Sequence, residues 1–410
     1  MLIKHTESDI LLLLKVVNDH RLCIKIERIY LKMKKKILIG NDMLHGGGVE
    51  NVLQTMTYYF LEKGYDVTII ASPMPGQIFN DYFDQNVHFI QNRWRLKKYK
   101  GFSIARVINY IICKTHNVYR KLTLRVMKFD VAIALKEGIT TKDLAHIRAK
   151  CKLAWFHCDH RDPNNNLILN KVFASGEKEL KSMKCYNKVV CVSEATRASI
   201  IETIGDPGNL CVIYNPINWN RIRELSVASP LYIKDPSKKL LVAVGRLHKV
   251  KNYPLMLEVV KTAHKEVDFE LWIVGSGNQK EYLEKYAIEE KLKFVKFLGM
   301  QYNPYPLIKQ ADLLINTSTS ESYGISIQEA FILGVPVVAV KSPGIMECFN
   351  PEYGMTVNKS KDDIVNAILT LLKNDTLRLQ YKENLEKKYS LRSLYEERME
   401  AICSLFNNFE

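Results

Sequence analysis

The chain has 410 residues, 47% of them hydrophobic, which is enough apolar material for two domains. Its 59 Lys and Arg residues exceed its 44 Asp and Glu residues, and the net charge of +15 predicts an acidic partner: nucleotide phosphates, nucleic acid or an anionic membrane. The nine cysteines lack CxxC or zinc-ligand spacing, which favours a reduced, cytoplasmic protein. No run approaches the roughly 18–20 apolar residues that cross a bilayer.

The first predicted elements form a strand–helix–strand unit. We interpret residues 1–32 as an N-terminal extension and expect the native chain to start at Met33. A short apolar strand at Ile37–Gly40 leads into a glycine-rich loop, a helix at Glu50–Lys63 and a second strand at Asp66–Ala71. This order predicts a parallel sheet.

Short apolar runs continue along the chain and restart after a linker at residues 215–239, which contains a short helix. The first series comprises Val131–Leu135, Leu153–Phe156, Val189–Val192 and Val212–Tyr214. The second comprises Leu240–Val244, Leu271–Val274, Val295–Phe297, Leu313–Asn316 and Val337–Val340. We therefore predict an α/β chain of two Rossmann-like, doubly wound domains that face a central cleft, with ligands at the carboxyl ends of the strands.

The predicted boundaries follow from this order. The N-terminal domain spans residues 33–220 and the C-terminal domain spans residues 221–390. Residues 391–410 contain a helical pattern, and we expect this helix to pack back toward the N-terminal domain.

The run from Glu321 to Glu329 lies between two predicted buried strands. Its backbone turns at Tyr323–Gly324, and a helix begins near Ile325 and Ser326, whose N–H groups are suited to binding a phosphate. Glu321 precedes the helix and Glu329 lies about one turn inside it, so the two carboxylates are predicted to contact different parts of one ligand.

A basic loop follows the first strand of the second series. Arg246 offers a rigid guanidinium fork and Lys251 a point charge, a combination that suits a diphosphate. Gly245 begins this loop, and Gly275 ends the next strand in a short GxG turn. A tight turn explains that GxG without a ligand, so Gly275 is assigned only a supporting role beside a nucleotide.

Two motifs of the N-terminal domain also follow predicted strands. Gly47 and Gly48 belong to a glycine-rich loop, which we expect to face the cleft; it lacks the full dinucleotide-binding pattern. His157 ends another strand. It either faces the cleft or is a core histidine whose ring is bonded by backbone, and the pattern favours neither interpretation.

These motifs stand in the order GGGVE, WFHCD, VVCVSEATR, VIYNPI, VGRLHKVKN, IVGSG and ESYGISIQEA followed by GVPVVAV. The arrangement resembles the retaining glycosyltransferase family 4, also called glycosyl transferases group 1, of GT-B fold. The resemblance extends from about residue 35 to the end of the chain. It implies an N-terminal acceptor-side domain and a C-terminal domain that binds a nucleotide-sugar.

Carried over by position, the resemblance implies that Arg246 and Lys251 bind the donor diphosphate, while Glu321 contacts the donor sugar and Glu329 the ribose. Gly47, Gly48 and the backbone from Tyr323 to Ser326 would lie near phosphate, and His157 near the transferred sugar. The family requires no metal or other cofactor, because cations and the helix dipole neutralise the leaving group.

Residues 91–128 contain 11 Lys and Arg residues and no Asp or Glu, interleaved with apolar and aromatic residues such as Trp94 and Tyr110. We interpret this stretch as an anionic-membrane surface that brings the enzyme to a lipid-linked or glycan acceptor. A basic RNA-binding face and a solvated pair of basic helices are the competing interpretations. No nucleic-acid-binding fold accompanies the stretch, so we expect no nucleic-acid partner.

Two alternatives to glycosyl transfer share the predicted fold. A sugar-nucleotide epimerase would need catalytic acids and bases in the cleft without an acceptor. A non-catalytic partner subunit of a glycosyltransferase complex would be expected to lose the donor-site residues, and this chain has Arg246, Lys251, Glu321 and Glu329.

Overall fold

The structure is a computed structural model that describes residues 34–44, 47–72, 83, 85–91, 104–388 and 393–407. The predicted extension at residues 1–32 lies outside these ranges. Residues 92–103 of the basic stretch also lie outside them. The described chain forms two parallel sheets with helices between the strands, as predicted.

The N-terminal sheet has seven strands in the order β3-β2-β1-β4-β5-β6-β7. They are β1 Lys36–Met43, β2 Asp66–Ser72, β3 His88–Gln91, β4 Phe129–Ala134, β5 Ala149–Phe156, β6 Lys188–Cys191 and β7 Leu210–Val212. The helices are α1 Gly48–Glu62, α2 Ile104–Val126, α3 Ile139–Leu144, α4 Pro163–Phe173, α5 Gly176–Met183 and α6 Glu194–Ile204. All strand pairs are parallel, so their carboxyl ends form one edge.

A short helix, α7 Trp219–Ser226, connects this domain to the second sheet, whose order is β10-β9-β8-β11-β12-β13. Its strands are β8 Lys239–Val244, β9 Phe269–Val274, β10 Val295–Gly299, β11 Leu313–Asn316, β12 Val337–Val340 and β13 Gly354–Val357. The helices are α8 Tyr253–Ala263, α9 Lys280–Glu289, α10 Tyr305–Lys309, α11 Ile325–Ile332, α12 Pro343–Cys348, α13 Lys361–Lys373 and α14 Asp375–Lys388, and a last helix, α15 Ser393–Asn407, follows.

The apolar runs arise because each central strand is covered on both faces of its sheet. In β8, Leu240 and Val242 belong to one core, whereas Leu241 and Ala243 belong to another on the opposite face of the sheet. Because helices cover both faces, consecutive positions in the middle of a central strand are apolar. A continuous apolar run therefore marks each central strand.

The strand predictions fail only at the sheet edges. β3 and β13 were not predicted, and β7 lies at Leu210–Val212 rather than at Val212–Tyr214. All three are edge strands, and their side chains are partly exposed. Edge strands bury less apolar surface, so their sequences lack the continuous run that marks a central strand.

Helix α15 lies against the N-terminal domain. The ring of Phe406 packs 5.7 Å from that of Phe60 in α1, and the Cys151 thiol of β5 donates to the carbonyl oxygen of Leu405 at 3.6 Å. Met399 and Ile402 are fully buried in the same core. The final helix thus contributes to the core of the first domain.

None of the helices within the described ranges combines the length and the hydropathy needed to cross a bilayer.

Candidate active site

The two motif-bearing loops of the C-terminal domain lie side by side. They follow β8 and β11, which are parallel neighbours, so both loops leave the same edge of the sheet. The Thr317 hydroxyl lies 3.0 Å from the carbonyl oxygen of Lys251, and the Thr319 N–H donates to the carbonyl oxygen of Val250 at 2.8 Å. The predicted cation loop and the predicted carboxylate loop therefore form one site.

Lys251 and Glu321 form an ion pair at the centre of this site. The Lys251 ammonium bonds Oε1 of Glu321, which also accepts from the Ser318 hydroxyl at 2.8 Å and from the Asn316 amide at 3.2 Å. The Glu321 side chain is only 12% exposed and that of Lys251 is 25% exposed. A carboxylate with this many donors is held in one orientation.

The same contacts determine the protonation of Glu321. Burial raises the pKa of the Glu321 carboxyl, but Lys251 and the bonds from Ser318 and Asn316 outweigh burial and hold the pKa below its ordinary value of 4.5. Glu321 is therefore ionised at neutral pH. It can accept hydrogen bonds from sugar hydroxyls, and it cannot serve as a proton donor.

Helix α11 begins immediately after this pair. Its N-cap is Gly324, with φ at 69°, and no side chain caps the helix. The backbone N–H groups of the first turn, which starts at Ile325 and Ser326, therefore have no side-chain cap. An uncapped helix N-terminus beside a cation is suited to binding an anion such as a phosphate.

Close backbone approaches explain the glycines of the site. A Cβ on Gly275 would lie 1.9 Å from the carbonyl oxygen of Gly245, and Gly275 has a φ of 145°. A Cβ on Gly344, which the sequence analysis did not single out, would lie 2.3 Å from the carbonyl oxygen of Glu321. Gly275 thus lets the Gly245 loop approach the end of β9, and Gly344 lets the Glu321 loop approach α12.

Glu329 lies on α11 and is 4% exposed. Its Oε1 accepts from the Asn51 amide at 2.8 Å and from the Tyr305 hydroxyl at 3.2 Å. Burial raises the pKa of Glu329 from 4.5 to about 7, against the opposing effect of the bonds from Tyr305 and Asn51. The two glutamates therefore differ chemically: Glu321 is held ionised, whereas Glu329 titrates near neutral pH.

The glycine-rich loop of the N-terminal domain reaches this site. A Cβ on Gly48 would lie 2.8 Å from Cδ1 of Ile325, so the start of α1 packs directly on the start of α11. Gly47 is the N-cap of α1 and makes no side-chain cap. Glu50 lies in the first turn of α1, and its carboxylate already offsets the dipole at that helix end. His45 and Gly46 lie outside the described residues.

His157 follows β5 in the N-terminal domain. Its Nε2 lies 2.9 Å from the carbonyl oxygen of Leu135, and its backbone N–H donates to Glu137 at 2.9 Å. Burial lowers the pKa of His157 below its ordinary value, and Glu137 opposes this only in part. Since a carbonyl can only accept, Nε2 carries the proton of the neutral ring and Nδ1 is an acceptor. The ring has the backbone partner expected of a core histidine.

Arg246 differs from Lys251 in its surroundings. Its side chain is exposed, and it forms no ion pair with the part of the chain that the structure describes. Within the same ranges, no three His, Cys, Asp or Glu residues are grouped closely enough to hold a metal ion. The expectation that no metal is required stays a prediction.

Several residues of the site were not singled out from the sequence. Asn316 ends β11 and Ser318 lies in the polar loop that follows it, and their position just before Glu321 was a usable signal. Asn51 and Tyr305 reach Glu329 from 278 and 24 positions away, and no local pattern marks either of them.

Comparison with known proteins identifies the family. The Glycosyltransferase Family 4 model matches residues 46–221, and the Glycosyl transferases group 1 model matches residues 232–388. The two matches follow one another along the chain and together span most of it.

Relatives and solved structures agree with this family. N-acetyl-alpha-D-glucosaminyl L-malate synthase of Bacillus anthracis is 23% identical, over 84% of this chain and 88% of that protein. The amylovoran biosynthesis glycosyltransferase AmsD of Erwinia amylovora is 23% identical, over 86% and 93%. A mutant of TarM from S. aureus, solved with fondaparinux, alpha-GlcNAc-glycerol and UDP, has a TM-score of 0.71 at 15% identity and covers 91% of this chain and 100% of its own. The chain belongs to glycosyltransferase family 4, has the GT-B fold and is a glycosyltransferase.

Proposed function

We propose that the enzyme transfers a hexose-type sugar from a UDP-sugar, with retention of anomeric configuration, to a lipid-linked or glycan acceptor. The reaction would serve capsule, lipopolysaccharide or other cell-surface polysaccharide biosynthesis. The observation that carries the proposal is the ion pair between Lys251 and Glu321 beside the uncapped start of α11. This arrangement combines acceptors for sugar hydroxyls with donors for phosphate in one place.

The proposed roles are those that the family resemblance implies for these positions. Glu321, ionised and held by three donors, accepts from hydroxyls of the donor sugar. Glu329 accepts from the ribose. Arg246 and Lys251, with the backbone at residues 324–326, bind the diphosphate, and His157 lies near the transferred sugar.

The proposed reaction needs no nucleophile from the protein. The bond between the anomeric carbon and the diphosphate oxygen breaks, and the acceptor hydroxyl oxygen bonds that carbon on the same face. The acceptor proton passes to the leaving phosphate. Positive charge from Arg246, Lys251 and the α11 dipole stabilises the negative charge that develops on the diphosphate.

The names of similar proteins support the choice of donor and acceptor. The TarM structure contains UDP and alpha-GlcNAc-glycerol. One relative is named a glucosaminyl malate synthase, and another is named for amylovoran biosynthesis. A panel of UDP- and GDP-sugars, assayed for donor binding and for release of UDP or GDP, tests the proposal. Failure of every nucleotide-sugar to bind would contradict it.

Arg246 offers a direct test of the diphosphate site. We expect Arg246→Ala to weaken donor binding by about 10- to 100-fold, because a charge-assisted bond to phosphate is lost. Lys249→Ala is the matched control, since Lys249 is an exposed cation of the same loop with no proposed role. Isothermal titration calorimetry measures both. An Arg246→Ala variant that bound the donor as well as the parent would exclude Arg246 from the site.

Helix α2 supports a membrane surface as the location of the acceptor. Exposed apolar side chains recur along it at helical spacing, at Ile108, Ile111, Val118 and Leu122. The stretch that contains them carries 11 cations and no anions. An apolar stripe on a basic helix is suited to lying in the headgroup region of an anionic bilayer, on its cytoplasmic side.

Vesicle binding tests this part of the proposal. We expect the protein to pellet with vesicles that contain anionic lipid at low salt, and the double variant Ile111→Asp, Val118→Asp to bind much less. Ile288→Asp is the control, because Ile288 is an exposed apolar residue on α9, far along the chain from α2. Equal pelleting of the double variant and the parent would exclude this face of α2 as the contact.

A further inference from the structure

Asn51 reaches from the N-terminal domain into the proposed donor site. It lies in the first turn of α1, and its side-chain amide donates to Oε1 of Glu329 at 2.8 Å. The Tyr305 hydroxyl donates to the same oxygen at 3.2 Å and lies 3.5 Å from the Asn51 amide. A residue of one domain thus holds the carboxylate that we assign to the ribose in the other.

The packing of two helices sets the position of Asn51. Gly48 and Ile325 are in contact at the starts of α1 and α11, since a Cβ on Gly48 would lie 2.8 Å from Cδ1 of Ile325. Asn51 lies three positions beyond Gly48, and Glu329 lies four positions beyond Ile325. Both are therefore about one turn further along the faces that meet. The bond between them forms only where the two helix starts are in contact.

The chemistry of the bond favours positioning over neutralisation. Oε1 of Glu329 accepts both hydrogen bonds, and neither Asn51 nor Tyr305 donates to Oε2. A carboxylate has several acceptor positions, so the second oxygen can still receive a ribose hydroxyl. An amide orients the carboxylate without the charge of Lys or Arg, which would compete with the ligand for it.

We propose that Asn51 is a positioning residue for the donor, holding Glu329 in its ribose-binding orientation when the two domains are closed. The inference rests on the proposed function, in which Glu329 binds the ribose. It adds that closure of the cleft and capture of the nucleotide depend on one shared carboxylate, which couples the two events.

A second contact between the domains provides a control. Glu347 of α12 accepts from the backbone N–H groups of Glu194 at 2.8 Å and Ala195 at 2.5 Å, at the start of α6. This contact also links the two domains, and it involves none of the groups that hold Glu329. We therefore expect a substitution at Glu347 to weaken the contact between the domains without altering the Glu329 carboxylate.

The test measures the affinity of UDP and GDP, which share the ribose and the diphosphate, for the parent and for five variants. These are Asn51→Ala, Asn51→Asp, Glu329→Gln, the Asn51→Ala, Glu329→Gln double variant and Glu347→Gln. We expect Asn51→Ala to weaken binding about 10-fold. Asn51→Asp, which is the same size but places a second carboxylate beside Glu329, should weaken it more. The double variant should bind no more weakly than Glu329→Gln alone, because both changes act on one interaction.

The possible outcomes separate this inference from the proposed function. If neither nucleotide binds the parent, or if Glu329→Gln binds like the parent, the ribose assignment fails and the inference fails with it. If Glu329→Gln binds weakly but both Asn51 variants bind like the parent, only the inference is overturned. The inference would also be overturned if the double variant lost as much binding free energy as the two single variants lose together. If the Asn51 variants lose no more nucleotide affinity than Glu347→Gln does, Asn51 only links the two domains. Its proposed role in positioning Glu329 is then overturned. A lower melting temperature with unchanged affinity would show a merely structural role.

Discussion

Lys251→Met is expected to lower the free energy of unfolding by about 3 kcal/mol, because it leaves the buried Glu321 carboxylate without its ammonium partner. Methionine retains the apolar stem of lysine, so the change removes the charge and little else. We also expect kcat/KM to fall by about 100- to 1,000-fold, since the positive charge that we assign to the donor diphosphate is lost. Urea denaturation and steady-state kinetics measure the two effects.

The double variant Lys251→Met, Glu321→Gln separates the two effects. With both charges removed, no unpaired buried charge remains, and we expect much of the lost stability to return. Activity should not return, because the groups with the proposed roles at the donor site are both gone. A double variant as active as the parent, or a stable and active Lys251→Met variant, would contradict the proposed roles of this pair.

The second large effect concerns Glu329 and pH. Burial raises the pKa of Glu329 to about 7 in the folded protein, whereas in the unfolded chain it titrates near 4.5. Below about pH 4.5 both states are protonated and the stability contribution is fully present. As pH rises to 7, the unfolded chain loses the proton while the folded protein keeps it, so stability falls. Above pH 7 the contribution of Glu329 to the free energy of unfolding, about 3 kcal/mol, is completely lost.

A comparison with Glu329→Gln isolates this titration from all others. Glutamine has a similar shape and does not ionise, so the stability difference between the parent and the variant should change across pH 4.5–7 and be constant on either side. Urea denaturation at a series of pH values measures it. A difference that stays constant over the whole range would mean that Glu329 keeps an ordinary pKa when folded.

The fold could be predicted where strands are buried on both faces. β11 and β12 occur at the predicted residues, Leu313–Asn316 and Val337–Val340, because helices cover both faces and every position except the terminal Asn316 is apolar. The edge strands β3 and β13 were missed because partial exposure interrupts the pattern. An apolar sequence pattern reflects the burial of side chains, and strands at a sheet edge bury less apolar surface.

The candidate site could be predicted only as separate motifs. Each motif is local: a strand end, a polar or basic loop, a helix start. The contacts that join them are not local, since Lys251 meets Glu321 across 70 positions and Asn51 meets Glu329 across 278. The pKa difference between the two glutamates could not be predicted for the same reason. It depends on burial and on partners that each carboxyl group meets only in the folded protein.

The packing of α15 bears on how the protein is made. This helix follows every other described element, yet Met399, Ile402 and Phe406 fill part of the core of the first domain. A domain usually folds as soon as its residues leave the ribosome. Here α1 and β5 have to wait, with apolar surface uncovered, until translation has reached residue 406. The first domain to be translated is thus the last to be completed.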